Sequence, residues 1–334
     1  MIVEQVQGGT NSSGVSPAAF AMPDGMRIRY DLPDPSLAEF VTGYAIYAAA
    51  DRAPMVNWYL PAPAMISIVV DAGPITVSIG NHKFGPLEQA SLYGPTSRAF
   101  RTVTTGGIAV GIGLSALGWS RMIARPAADY HNRVAPLRSV IGAQINDRLI
   151  EGLEALDDDS SIKPLLDALL QPVFAVPHPR DALIRGFTAL MVTDGVIEMK
   201  DVADRLDIPT HELRRMATRH FGMPPKLLLR RSRFLRSFIG LIRGEGMSDY
   251  SSIDSSYFDA SHFLRDAGTF LGTTPRRFIG ADTVFLRASL RARSAVIGTP
   301  TQALHSVDRK TPVIGIPRSG NGAGNGDGAH YALP

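Results

Sequence analysis

Residues 206–226 read LDIPTHELRRMATRHFGMPPK, and residues 259–279 read DASHFLRDAGTFLGTTPRRFI. The two stretches share a pattern at a constant offset of 50 positions. Leu213, Arg215, Ala217, Phe221, Gly222 and Pro225 stand opposite Phe263, Arg265, Ala267, Leu271, Gly272 and Pro275. In each copy an apolar residue, an arginine and a small residue alternate, and a helix then runs to an apolar–Gly step. Glycine suits the left-handed position just past a helix end. A proline three positions on suits the first turn of the next helix. Self-similarity at a fixed period marks two copies of one supersecondary unit.

The first copy supplies the layout. Residues 199–206 (MKDVADRL) place Val202, Ala203 and Leu206 at helical spacing. Asp207-Ile208-Pro209 breaks this helix, and Thr210 stands where it can cap a second one over 210–221. Leu213, Met216, Ala217, His220 and Phe221 form the buried stripe of that second helix. His211, Arg214, Arg215 and Thr218 lie away from its centre and can meet a partner. Two helices joined by a turn of about three to four residues make a helix-turn-helix, whose second helix enters a major groove of DNA.

A long third helix should follow, opened by Pro224-Pro225 and closed by Gly244. Leu227, Leu228, Phe234, Leu235, Phe238, Ile239, Leu241 and Ile242 fall on one arc, with Arg230, Arg233 and Arg236 opposite. Arg231 falls inside the apolar arc, where its stem can pack while its head reaches water. Residues 205–243 hold ten Lys/Arg and two Asp/Glu, a local charge of +8 in a chain of net charge +3. Such a concentration attracts phosphate. A solvated basic face is the alternative, and the coincidence of the charge with the duplicated unit favours DNA.

These residues resemble the DNA-binding domain of AraC/XylS-type transcription regulators. The resemblance is carried by RHFGMPPK (219–226), RRSRFLRS (230–237), DASHFLRD (259–266) and GTTPRRF (272–278), in the family's order. It implies two helix-turn-helix units joined by one long helix, seven helices over 196–285, and contact with successive major-groove segments. By position, His211, Arg214 and Arg215 match the base-reading residues of the first unit, while Thr218 and Arg219 match phosphate contacts. Ala260, Ser261 and Arg265 match the reading positions of the second unit. Arg214 or Arg215 could take guanine O6 and N7 together. For each residue the alternative is a plain exposed helix position.

The second copy departs from the family. Its first helix should lie over 247–256, where only Met247, Tyr250 and Ile253 are apolar, and Ser256 replaces the usual Gly. Gly268 sits inside the reading helix, at a cost of ~1 kcal/mol against Ala. Ala217 and Ala267 occupy positions where the family has a core Phe, which implies repacking or a looser second unit. His262 should pack or cap. The first unit is thus expected to carry the sequence specificity and the second to clamp the backbone.

The remainder of the 334 residues leaves room for another domain. Short β-like runs at 64–70, 75–79 and 99–114 are punctuated by Gly73-Pro74, Gly80-Asn81, Gly85-Pro86 and Gly94-Pro95. This spacing predicts a barrel or a double sheet. Helical texture follows at 143–156, 163–170 and 179–192. The β-rich part resembles the cupin-like sensor domain of some AraC-type regulators, through residues 35–44, 92–96, 113–114 and 134–137. Tyr44, Tyr47, Trp58, Tyr59, Tyr93 and Phe100 could line an apolar pocket there, or be ordinary core aromatics. Trp119 and Arg121 could belong to a domain interface. His82 and Glu88 lack the further ligands that a cupin metal site needs, so neither metal, cofactor nor catalysis is expected.

The expected division is α+β and multidomain. It comprises a flexible N-terminus (1–27), a β-rich cupin-like regulatory domain (28–130), a helical connector (131–195), a double helix-turn-helix domain (196–285) and a flexible Gly-rich tail (286–334). Arg287, Arg291 and Arg293 could add phosphate contacts or keep the end soluble. The chain has no cysteine, which excludes disulfides, thiolate metal sites and thiol nucleophiles. It also excludes the methyl-accepting chemistry of the superfamily's DNA-repair members. No apolar run nears the ~20 residues of a membrane span, and no signal-peptide pattern opens the chain, so a cytoplasmic protein is expected. The resemblance implies double-stranded DNA, a second copy of the chain, RNA polymerase and a small-molecule effector as partners. The alternative function is an interaction protein, non-specific or without DNA binding, with a degenerate second helix-turn-helix.

Overall fold

The computed structural model describes residues 5–192, 198–242, 253, 257, 259–281 and 283–305. Its strands are β1 (Met26–Asp31), β2 (Val41–Ala49), β3 (Met55–Tyr59), β4 (Met65–Val70), β5 (Thr76–Ile79), β6 (His82–Phe84), β7 (Ala90–Tyr93), β8 (Phe100–Thr104), β9 (Gly107–Leu114) and β10 (Val134–Pro136). They form a six-stranded sheet, β1-β2-β9-β4-β7-β10, and a four-stranded sheet, β3-β8-β5-β6. Neighbouring strands run antiparallel, for example β2 with β9 and β4 with β9.

Alternation along the central strands explains the layering. In β9 the large residues Ile108, Val110, Ile112 and Leu114 share one face, and Gly107, Ala109, Gly111 and Gly113 the other. The large face joins Ile66, Ile68 and Leu92 in a core completed by Leu149, Leu166, Leu170 and Phe174 from helices. The small face turns to the second sheet, where Val77, Tyr93, Phe100, Tyr59 and Met65 pack together. The six-stranded sheet is therefore covered on both sides.

The helices are α1 (Ala116–Met122), α2 (Arg138–Ile141), α3 (Ala143–Glu154), α4 (Ile162–Phe174), α5 (Asp181–Val192), α6 (Met199–Arg205), α7 (Thr210–Phe221), α8 (Pro225–Ile242), α9 (Ala260–Phe270), α10 (Pro275–Ile279) and α11 (Val284–Ile297). Helices α3 to α5 share one continuous core with the sheet, because their apolar faces supply its outer cover. None of the described helices is long and apolar enough to cross a membrane.

Both expected flexible ends are partly built into the fold. Near the start, the Gly8 amide donates to Asp159 (2.9 Å), the Asn11 amide donates to Asp31 (2.5 Å), and a 3-10 turn spans Pro17–Phe20. Near the end, α11 continues to Ile297 and a 3-10 turn spans Gln302–Leu304. Ala292, Val296 and Ile297 pack on Ile28, Tyr30 and Ala45, so apolar burial against β1 and β2 orders this segment. The β-rich part also runs past residue 130, since β10 pairs with β7.

Candidate DNA-reading surface

The first unit is α6, a turn and α7. Helix α6 stops at a Leu206 cap, and Asp207 takes a left-handed φ of 51°, a conformation that Asp tolerates better than most residues. Pro209 occupies the N-cap of α7 and makes no side-chain cap bond. Thr210, expected as the cap, is instead the first helical residue, because proline already fixes an extended backbone there. Leu213, Met216, Ala217, His220 and Phe221 are buried. His211, Arg214, Arg215 and Arg219 are exposed, and Thr218 is half-buried. Glu212 accepts from Arg180 at 2.8 Å and lies 3.7 Å from Arg215, whose side chain remains 68% exposed. Arg219 donates to the Ala124 carbonyl at 3.3 Å.

The second unit repeats this exposure pattern. Phe263 and Ala267 are fully buried, while Ala260, Ser261 and Arg265 are exposed. Asp259 caps α9 by accepting from the His262 amide at 2.7 Å. His262 itself is half-buried, edge-on to Tyr257 at 5.2 Å. The space beside Ala267 is filled from the linker helix: Phe234 stacks on Phe263 at 5.5 Å and on Phe270 at 5.3 Å. Gly268 is exposed, with open space around it. The helix expected over 247–256 and the closing Gly244 lie outside the described residues, apart from Ile253.

The basic face expected on α8 is largely consumed inside the molecule. Asp266 is fully buried and accepts from Arg230 at 2.5 Å, from Arg233 at 3.1 Å and from the Tyr257 hydroxyl at 2.8 Å. This node fixes α9 against α8. Its partners were visible as two arginines three positions apart, whereas Asp266 was hidden behind the reading-position Arg265. Arg231 does not reach water: it is 3% exposed, and its Nη1 donates to the carbonyls of Ala62 (3.2 Å) and Thr96 (3.0 Å). Near the chain end Arg291 donates to Ala19 and Ala21, and buried Arg293 to Thr299 and Thr42. Arg287 and Arg291 are both exposed, and Arg287 Nε donates to the Thr283 hydroxyl at 3.4 Å.

The duplicated helical units are docked on the β-rich domain at several points. Gly222 ends α7 with φ 79°, and a Cβ there would come within 2.9 Å of Pro95 Cγ and 3.1 Å of the Ala127 carbonyl oxygen. The Ala99 amide donates to Phe270 at 2.6 Å, Trp58 meets Phe278 edge-on at 5.3 Å, and Phe285 packs on Tyr47 and Tyr59. Arg121 pairs with Asp181 and lies over Phe40, joining α1 to α5. Trp119 is buried beside Tyr130, in the same core as α7. Burial, with His178 beside it, holds the His220 imidazole down at about 4.

Between the two sheets lies a small cavity of about 70 Å³. Tyr47, Tyr59, Tyr93 and Phe100 line it, together with the small face of β9 and with Phe285. Two of the six aromatics expected there point elsewhere. Tyr44 faces the helices and donates to Asp167 at 2.8 Å, and Trp58 turns to Phe278. Among the described residues no group of three or more His, Asp or Glu side chains could hold a metal ion.

No family model matches the chain. No curated protein matches it either. Among solved structures it is similar to ToxT from Vibrio cholerae, with 13% identity and a TM-score of 0.41 over 71% of this chain and 97% of that one. ToxT from Vibrio cholerae strain SCE256 with unsaturated fatty acid bound has 12% identity and a TM-score of 0.40, over 71% and 94%. The AraC-like transcriptional activator CuxR has 13% identity and a TM-score of 0.21, over 68% and 91%.

Proposed function

We propose that this chain is a sequence-specific DNA-binding transcription regulator of the AraC type, controlled through its β-rich domain. One observation carries the reading. The two copies of the unit bury equivalent apolar residues, Leu213 with Phe263 and Ala217 with Ala267, and expose equivalent arginines, Arg215 and Arg265. A duplicated scaffold that presents the same cation twice is suited to a repeating anionic partner, and double-stranded DNA is that partner.

In this reading His211, Arg214 and Arg215 contact base edges, and Thr218 and Arg219 contact phosphate. Ala260 and Ser261 approach the backbone closely because they are small, and Arg265 supplies the second unit's charge. The protein acts by binding, not by catalysis, in the cytoplasm. It works as a homodimer, answers to a small-molecule effector, and acts on RNA polymerase. The test is selection of genomic fragments by the full-length protein, followed by a salt titration on the best fragment. An enriched motif with two elements about one helical turn apart, and a steep salt slope, is the expected result. Weak binding to every fragment alike would overturn it. That outcome would favour an interaction protein, a reading helped by the internal engagement of Arg230, Arg231 and Arg233.

A further inference from the structure

Residues 95–99 (PTSRA), between β7 and β8, touch both copies of the duplicated unit and the helix that joins them. Pro95 lies against the end of α7: a Cβ on Gly222 would come within 2.9 Å of its Cγ. The Thr96 carbonyl accepts from Arg231 Nη1 of α8 at 3.0 Å, and the same nitrogen donates to the Ala62 carbonyl at 3.2 Å. The Ala99 amide donates to the Phe270 carbonyl, at the end of α9, at 2.6 Å. Ala99 and Leu60 are also buried in one apolar cluster with Phe234, Phe263 and Phe270. One loop of the β-rich domain therefore meets the first unit, the linker and the second unit in turn.

The loop is stiff before any helix touches it. The Thr96 amide donates to the Ala62 carbonyl at 2.8 Å, and the Thr96 hydroxyl accepts from the Ala62 amide at 2.9 Å. The Ser97 amide donates to Asn132 Oδ1 at 2.9 Å, and the Asn132 amide donates to the Pro95 carbonyl at 3.0 Å. Thr96 and Ser97 are buried. Arg231 is a buried cation that pairs with no carboxylate among the described residues. Such a group is costly, and what it can supply in return is a defined position. The linker needs that help. Helix α8 has 18 residues, a length of ~27 Å, and long helices curve. The five residues of the loop reach at most ~17 Å, a short second brace beside it.

We propose that residues 95–99 are a positioning element for DNA reading. They hold α7 and α9 at one separation and angle, and so set the spacing between the two DNA elements that the protein accepts. This rests on the regulator reading above. Moving one element by a base pair shifts it ~3.4 Å along the duplex and turns it by about 34°. A rigid pair of helices cannot follow both changes, whereas a loosely joined pair can.

The test uses the full-length protein and the best two-element fragment from the selection above. The spacing between the elements is shortened and lengthened by one base pair. The wild type should lose about tenfold or more in affinity either way, as for at least one forfeited base contact. Two variants loosen the loop. Arg231→Met removes its hold on the linker with a side chain suited to burial. Asn132→Gly unties it from the neighbouring loop, lies outside both units, and tolerates the left-handed φ of 54° there. In each, the spacing penalty should fall to about threefold or less, because the pair is no longer preorganised. Binding to an isolated first element should stay as it was. A role in stability alone would lower Tm and leave the penalty as in the wild type, and that result in either variant would overturn the proposal. A wild type indifferent to spacing, or a selected motif with a single element, would also overturn it and leave the regulator standing. No selected motif at all would remove the regulator reading, and this inference with it.

Discussion

Arg215 combines 68% side-chain exposure with a carboxylate only 3.7 Å away, so it is steered without being buried. A guanidinium held this loosely can still turn to a guanine edge. Arg215→Ala is expected to lose ~1–3 kcal/mol of binding on the best fragment and to relax one base position. Measuring the variant on single-base changes of that fragment checks it, and a uniform loss at every position would assign Arg215 to phosphate instead. His220 raises a different expectation. Its folded pKa, about 4, is depressed from the ordinary 6.5, first by burial and then by His178, Arg219 and Arg180. The unfolded chain therefore takes up the proton first as pH falls. The stability tied to neutral His220 is complete above about pH 6.5 and drains away as pH approaches 4. The urea midpoint of the wild type should fall between pH 7 and pH 4.5 more steeply than that of His220→Gln. Parallel curves for the two proteins would show that another group governs the acid limb.

At the scale of elements, the two copies of the duplicated unit invite direct comparison. Gly222 and Gly272 hold equivalent left-handed positions, with φ 79° and 75°. Any side chain pays for that conformation by roughly 1–2 kcal/mol. Around Gly272 there is open space, whereas a Cβ at Gly222 meets Pro95 and the Ala127 carbonyl. Gly272→Ala should therefore cost only the conformational ~1 kcal/mol, and Gly222→Ala distinctly more, read from chemical denaturation of the full chain. Equal costs would mean that Pro95 gives way freely. The helices themselves were legible because their information is local: a 3.6-residue stripe from Leu213 to Phe221, and a glycine just beyond it. The β-like run at 99–114 was legible as strand, but the structure divides it into β8 and β9. The N-cap of α7 was misread at Thr210 because proline one position earlier had already set the backbone.

What the sequence hid is long-range. Nothing near Ser289 announces that it will meet Tyr30 at 2.9 Å, or near Gly8 that its amide will find Asp159, and these partners order both chain ends. The same blindness affects charge. The +8 of residues 205–243 counts every arginine equally, but the fold sorts them. Arg231 is enclosed, Arg230 and Arg233 are bound to Asp266, and Arg214, Arg215 and Lys226 face solvent. Only cations that displace counterions from DNA contribute to the salt dependence of binding, at a slope of roughly −0.9 per phosphate contact. Lys226→Gln should thus lower the slope of log K against log salt by about 1, weaken binding to all fragments alike, and leave the urea midpoint nearly unchanged. Arg233→Gln should do the reverse. It removes half of a buried ion pair, lowers the urea midpoint, and leaves the salt slope where it was. If Arg233→Gln flattened the slope as much as Lys226→Gln does, the Asp266 node would have to open when DNA binds. The second unit would then be assembled on the DNA and not before it.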